Sequence, residues 1–124
     1  MSTAAGRVLE NRLLPKLQSV YGNQLALSAK NTKSNDFTAP IPIEAKRRKR
    51  WDMQAWVRKI KTVANDHQWV IFTSPKNLIT DRDLGAVMTV SEEFGLELLK
   101  CYEEAQLLAV MRERSQADLS RVDL

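Results

Sequence analysis

The sequence predicts a mixed α/β fold, and three observations carry that prediction. Residues 41–73 read as strand, helix, strand, with a return short enough to specify a right-handed βαβ crossover between parallel neighbours. A helix-period apolar pattern opens the chain and another closes it. Between them, short runs of strand-forming residues are bounded by Gly, Pro and Asn. The expected element order is α-β-β-β-α-β-β-α.

Residues 4–21 form the first expected helix, because Val8, Leu9, Leu13, Leu14, Leu17 and Val20 recur at helical spacing. Pro15 should kink or divide it, and Gly22 supplies the stop. Glu10 falls on the more polar side with Arg7 and Asn11, where a solvated helix charge belongs. Residues 24–29 alternate well enough for a first strand, residues 30–35 are a polar turn containing Lys30 and Lys33, and a second strand follows near Phe37. Side chains alternate across a strand, so in the third, residues 41–46, Ile41, Ile43 and Ala45 share one face while Glu44 and Lys46 share the other.

Asp52 is a suitable N-cap for a helix running to residue 65, with Met53, Trp56, Val57, Ile60, Val63 and Ala64 on its apolar stripe. Residues 69–73, Trp-Val-Ile-Phe-Thr, are nearly continuously apolar, as in a strand covered on both faces. Residues 74–84 read as an exposed loop and residues 85–90 as a last short strand. Ser91 caps the final helix, Glu92 and Glu93 suit its first turn, and Phe94, Leu98, Cys101, Tyr102, Ala105, Leu108 and Ala109 supply its apolar face. Beyond Arg112 that periodicity fades, so one domain over residues 1–112 with a frayed tail at 113–124 is expected.

The 124 residues are near the modal size of a domain, and 44% hydrophobic with 27% charged residues is a globular composition. No apolar run approaches a membrane span, and the first residues lack the apolar core of a signal peptide. The single Cys101 can form neither an internal disulfide nor a zinc site alone, and is expected as a small core residue. A cytoplasmic protein is the expectation. Net charge is +4, but its distribution is lopsided: residues 46–61 carry eight bases and one acid, whereas residues 91–124 carry eight acids and four bases.

Chemistry is legible in residues 36–46, Asp-Phe-Thr-Ala-Pro-Ile-Pro-Ile-Glu-Ala-Lys. Asp36 converges on Glu44 and Lys46 if the chain bends at Pro40 and Pro42. Two adjacent carboxylates make a hard-oxygen site of the kind Mg²⁺ accepts while keeping waters and phosphate oxygens as its other ligands. A lysine beside them can stabilise charge on a phosphate under attack or orient the attacking water. On spacing alone, the same residues are also an ordinary surface strand with Glu and Lys on its wet face. Arg47, Arg48, Lys49 and Arg50 follow the lysine directly, where a solvated turn or a set of salt-sensitive, sequence-independent phosphate contacts are both readings. Trp56 belongs to the apolar stripe, and Trp51 stands either in the core or on a nucleic-acid surface. His67 suits a helix-end or loop role, and no Gly-rich phosphate loop, nucleophile triad or Cys/His cluster is present in the sequence.

The expected order, the run from Ile43 to Trp56 (Ile-Glu-Ala-Lys-Arg-Arg-Lys-Arg-Trp-Asp-Met-Gln-Ala-Trp) and the closing run from Gly85 to Leu99 together resemble the PD-(D/E)xK nuclease superfamily. More narrowly they resemble the small Holliday junction resolvase-like nucleases of bacteriophages. The resemblance covers residues 6–99, and Asn35 stands where that group carries a proline before the first acid. It implies a restriction-endonuclease-like core, with Asp36 and Glu44 as metal-binding carboxylates and Lys46 as the catalytic lysine. Glu10 would be the first-helix acid near the site and Gln54 the polar residue at the start of the next helix. The implied cofactor is Mg²⁺, with Mn²⁺ as a substitute, and the implied products are 3′-hydroxyl and 5′-phosphate ends. Lys30, Lys33 and Arg47 to Arg50 would then contact branched or duplex DNA, and paired cuts across a junction call for a homodimer. The alternative is a non-catalytic, basic DNA-binding protein on the same fold.

Overall fold

A computed structural model describes residues 4–28, 36–48, 50–75 and 85–122. Lys30, Lys33 and Lys49 lie outside the described residues, as do the polar turn at 30–35 and most of the expected loop at 74–84. The elements are α1 (Ala4–Tyr21), β1 (Ile43–Arg48), α2 (Met53–Val63), β2 (Val70–Pro75), β3 (Val87–Val90) and α3 (Glu92–Val122). The fold is mixed α/β, with three helices and a three-stranded sheet in the order β1-β2-β3. β1 and β2 are parallel and β2 and β3 antiparallel, so the crossover through α2 joins parallel neighbours as the sequence requires.

α1 is one continuous helix despite Pro15, whose missing amide leaves a single intrahelical bond unmade. It ends at Gly22, where φ is +104° and the amide donates to the Gln18 carbonyl. Leu9, Leu13 and Leu17, each one turn from the next, are buried, whereas Val8 and Val20 are exposed. That inward face also takes in Glu10, which is 2% exposed and not the solvated charge expected of it.

The two strands expected at 24–29 and near Phe37 reduce to one antiparallel bridge, Leu27 to Phe37. Ser28 N donates to Asp36 O and Thr38 N to Ala26 O, but Pro40 and Pro42 have no amides with which to extend the ladder. Leu25 and Phe37 are nevertheless fully buried, so this short pairing anchors the segment.

α2 starts where its cap predicts: the Asp52 carboxylate accepts from Ala55 N at 3.3 Å. Its stripe packs on the sheet through a cluster of Ile60, Trp69 and Ile71, with Met53, Trp56, Val57 and Ala64 against it. Trp56 is thus a core residue. β2 is buried along Val70, Ile71, Thr73 and Ser74, in keeping with cover on both faces.

The structure divides into two compact units, residues 1–91 and 92–124. The second unit is α3, which runs past Arg112 to Val122 where a frayed tail was expected. No Gly or Pro follows Gly95, and Arg112, Glu113, Arg114, Gln116, Ala117 and Leu119 are mostly strong helix formers, so propensity continues the helix after the apolar periodicity lapses. Cys101, expected in a core, is exposed on it. Among the described residues, no helix is long and apolar enough to cross a membrane.

Candidate active site

β1 places the site residues by simple alternation. Its register with β2 sets Glu44 beside Ile71 and Lys46 beside Thr73, while Ile43, Ala45 and Arg47 lie beside Val70, Phe72 and Ser74. Register partners share a face. Glu44 and Lys46 therefore occupy the face on which Ile71 meets α2, and Ile43, Ala45 and Arg47 occupy the other.

Asp36 reaches this strand from its free edge. Its amide donates to Ile43 O at 3.0 Å, and its Oδ2 accepts from Ala45 N at 2.7 Å. A residue held by its amide and its carboxylate to one strand edge is fixed in position, and here the Asp36 carboxylate is fixed near enough to Glu44 to raise its proton affinity. The bend expected at Pro40 and Pro42 brings Asp36 and Glu44 together. Lys46 Nζ lies 3.8 Å from Glu44 Oε2, and both side chains are largely buried.

Burial pushes the Glu44 carboxyl up from 4.5 to about 7, and the like charge of Asp36 pushes in the same direction. Lys46, and more weakly Lys59 on α2, pull the other way. Lys59, one of the eight bases of residues 46–61, is exposed on α2 and still acts on Glu44, a proximity that depends on tertiary packing and has no signal in the sequence. Burial thus outweighs the attraction of the two lysines and leaves Glu44 readily protonated.

The other expected site residues fall differently. Glu10 is buried on α1, with Arg7 Nη1 3.5 Å from its Oε2, and α1 packs on β1. Gln54 is exposed in the first turn of α2 and, among the described residues, hydrogen-bonds to none of Asp36, Glu44 and Lys46. The basic run is not a uniform surface patch. Arg47 is 4% exposed because it shares the inward face of Ile43 and Ala45. Arg48 is half-buried on the Glu44 and Lys46 side and donates through Nη1 to Arg47 O at 3.2 Å, and Arg50 is exposed. Near the strand end, among the described residues, Arg50 is therefore the fully exposed cation and Arg48 a half-buried one. Trp51 is 45% exposed next to them.

A second constellation resembles a catalytic triad only by composition. His67 Nδ1 pairs with Asp66 Oδ1 at 2.8 Å, and Ser91 Oγ donates to the His67 backbone carbonyl at 2.7 Å. A serine bonded to a backbone carbonyl gains no nucleophilicity from that bond, which joins the residue after β3 to the turn between α2 and β2.

No protein-family model matches the chain, and no curated protein and no solved structure matches it. Among the described residues no group of three or more His, Cys, Asp and Glu side chains is placed to hold a metal, so the candidate donors are the two carboxylates of Asp36 and Glu44. They suit a hard cation that keeps several of its own waters: the donors are oxygen, each acts on the other electrostatically, and their mutual repulsion is relieved by added positive charge.

Proposed function

We propose that this protein is a Mg²⁺-dependent endodeoxyribonuclease that hydrolyses phosphodiester bonds in branched DNA, with Mn²⁺ as a substitute cation. One observation supports the reading above the rest: Asp36 and Glu44 are held against each other beside the Lys46 ammonium, in a setting that keeps the Glu44 carboxyl near 7. An ordinary wet-faced strand has no reason to bury a carboxylate against a second one, because exposure would relieve both.

Asp36 and Glu44 are the residues that would hold the cation. Bound there, it supplies a water of lowered pKa and neutralises charge on the phosphate. Ala45 N keeps Asp36 in position through the turnover, since the bond belongs to the backbone of the strand. Lys46, on the same face two residues on, brings a positive charge to a non-bridging phosphate oxygen or orients the attacking water by hydrogen bonding. Arg48 and Arg50 continue from the strand and receive neighbouring phosphates, which makes binding salt-dependent and largely indifferent to sequence. Resolution of a four-way junction requires two cuts, and so a homodimer.

The test is incubation of the full chain with a labelled four-way junction and the matching duplex, in Mg²⁺ or in EDTA, beside Glu44→Gln and Lys46→Ala. Paired nicks in the junction that need metal and vanish in both variants are the expected result. Salt-sensitive binding with no cutting in Mg²⁺ or Mn²⁺ would leave a basic DNA-binding protein and refute the catalytic roles.

A further inference from the structure

α3 is a 31-residue helix, about 46 Å long at 1.5 Å per residue. It presents nine large apolar side chains, from Leu96 to Leu119, at 42–70% exposure. An exposed apolar surface of that extent marks an interaction site. Two features of the sequence say what covers the part of it formed by Leu98, Tyr102, Leu108, Met111 and Leu119.

The first is spacing. Phe94, Leu98, Cys101, Ala105 and Leu108 follow each other at intervals of four, three, four and three, which is the alternation of a coiled-coil seam. Continued in step, the seam passes Arg112 and Ser115 and reaches Leu119. A helix that lies once across a globular core needs no such strict 3.5-residue repeat; one that pairs lengthwise with another helix does.

The second is charge. Residues 92–106 carry five acids and one base, whereas residues 107–122 carry three arginines and two acids. Two parallel, in-register copies would stack their acidic halves and bring Arg112 against Arg112 inside the seam. Two antiparallel copies set each acidic half against the more basic one. With the seam positions interleaved, Ala105 meets Leu108, Cys101 meets Arg112 and Phe94 meets Leu119 of the second copy. The Arg112 guanidinium then reaches Glu104 of that copy, one turn from Cys101. Small against large at the centre allows close approach of the two backbones.

We propose that α3 pairs with α3 of a second copy of this chain as an antiparallel coiled coil along the seam from Phe94 to Leu119. The inference stands on α3 alone and does not depend on the nuclease reading. It gives two copies a common two-fold axis close to residue 106.

The experiment uses the full chain, which has one cysteine. Light scattering after gel filtration at micromolar concentration should give twice the 14.1 kDa chain mass. Leu108→Glu should give the single-chain mass. Arg112→Glu should raise the dimer dissociation constant roughly tenfold, and Arg112→Glu with Glu104→Arg should restore it, a rescue that loss of folding cannot imitate. Under a mild oxidant the wild-type dimer should not cross-link, because antiparallel pairing keeps the two Cys101 residues roughly 16 Å apart along the axis. Ala105→Cys with Leu108→Cys in a Cys101→Ser background should cross-link. A monomeric wild type refutes the proposal, including one whose α3 amides are protected by packing on residues of its own chain. So does a dimer indifferent to Leu108→Glu, and efficient Cys101 cross-linking refutes the antiparallel arrangement.

Discussion

Glu44→Gln separates a site built for charge from a strand that merely contains it. The Glu44 carboxyl is moved from 4.5 to about 7, and each tenfold change in proton affinity is about 1.4 kcal/mol. The folded protein therefore bears about 3 kcal/mol of destabilisation once Glu44 is ionised. The sign follows from proton counts. Between 4.5 and about 7 the folded chain keeps a proton that the unfolded chain has released. Stability thus falls as pH rises through that window, is lowest above it, and is unaffected below it. Glutamine cannot ionise, and its amide can donate to Asp36 as the protonated carboxyl does. In urea or thermal melts with EDTA, Glu44→Gln should match the wild type near pH 4. It should exceed it near pH 8 by about 2–3 kcal/mol, or roughly 10 °C in Tm, after the lost attraction to Lys46 is allowed for. Added Mg²⁺ should close the gap by stabilising the wild type alone, as a ligand of the folded state does. Equal stability at both pH values, or a variant that is weaker near pH 8, would refute the account of the paired carboxylates.

Three other substitutions probe neighbouring features. Asp36→Asn removes the like charge while keeping an acceptor for Ala45 N, so the pH at which stability falls should move toward the ordinary carboxylate range, as read by the same melts. Arg47→Ala should lower stability by about 3 kcal/mol because it strips a buried side chain from an interior face, whereas Arg50→Ala should leave the melt unchanged and reduce the salt slope of DNA binding by about one. Ser74→Ala should raise the urea midpoint by the equivalent of about 1 kcal/mol, because the Ser74 hydroxyl is buried with no hydrogen-bond partner.

The βαβ unit was legible because its signals agree: alternation over residues 41–46, the Asp52 cap, the stripe of α2 and the apolar run of β2 all point to one arrangement. The pairing of Asp36 with Glu44 was legible as an expectation from the bend at Pro40 and Pro42. What was misread was misread where charge drew attention away from period. Arg47 continues the series Ile43, Ala45 and so belongs inward, yet the run from Lys46 to Arg50 looks like a surface patch. Glu10 sits beside the one-turn series Leu9, Leu13, Leu17, yet its charge suggested the wet side. The length of α3 came from propensity, which an apolar-period reading does not count. The burial of Glu44 was not legible at all, since it comes from tertiary packing around β1 that strand alternation does not reveal.

That last point also bears on why the site sits on β1. A strand fixes side-chain direction through its ladder, so Glu44 and Lys46 share a face with no help from their own contacts. Asp36 is held to the free edge of the same strand by backbone groups of Ile43 and Ala45, the residues on either side of Glu44. All three side chains are thus referred to one short piece of backbone. A shift of β1 relative to α1 or α2 would carry the set together and leave its internal geometry intact. The geometry should be lost only if the pairing of Asp36 with β1 opens. Backbone amide exchange at Ala45, whose proton goes to the Asp36 carboxylate, reports that opening directly. Its protection should fall in Asp36→Ala and persist in Glu44→Gln, and equal protection in the two variants would show that the strand edge holds itself.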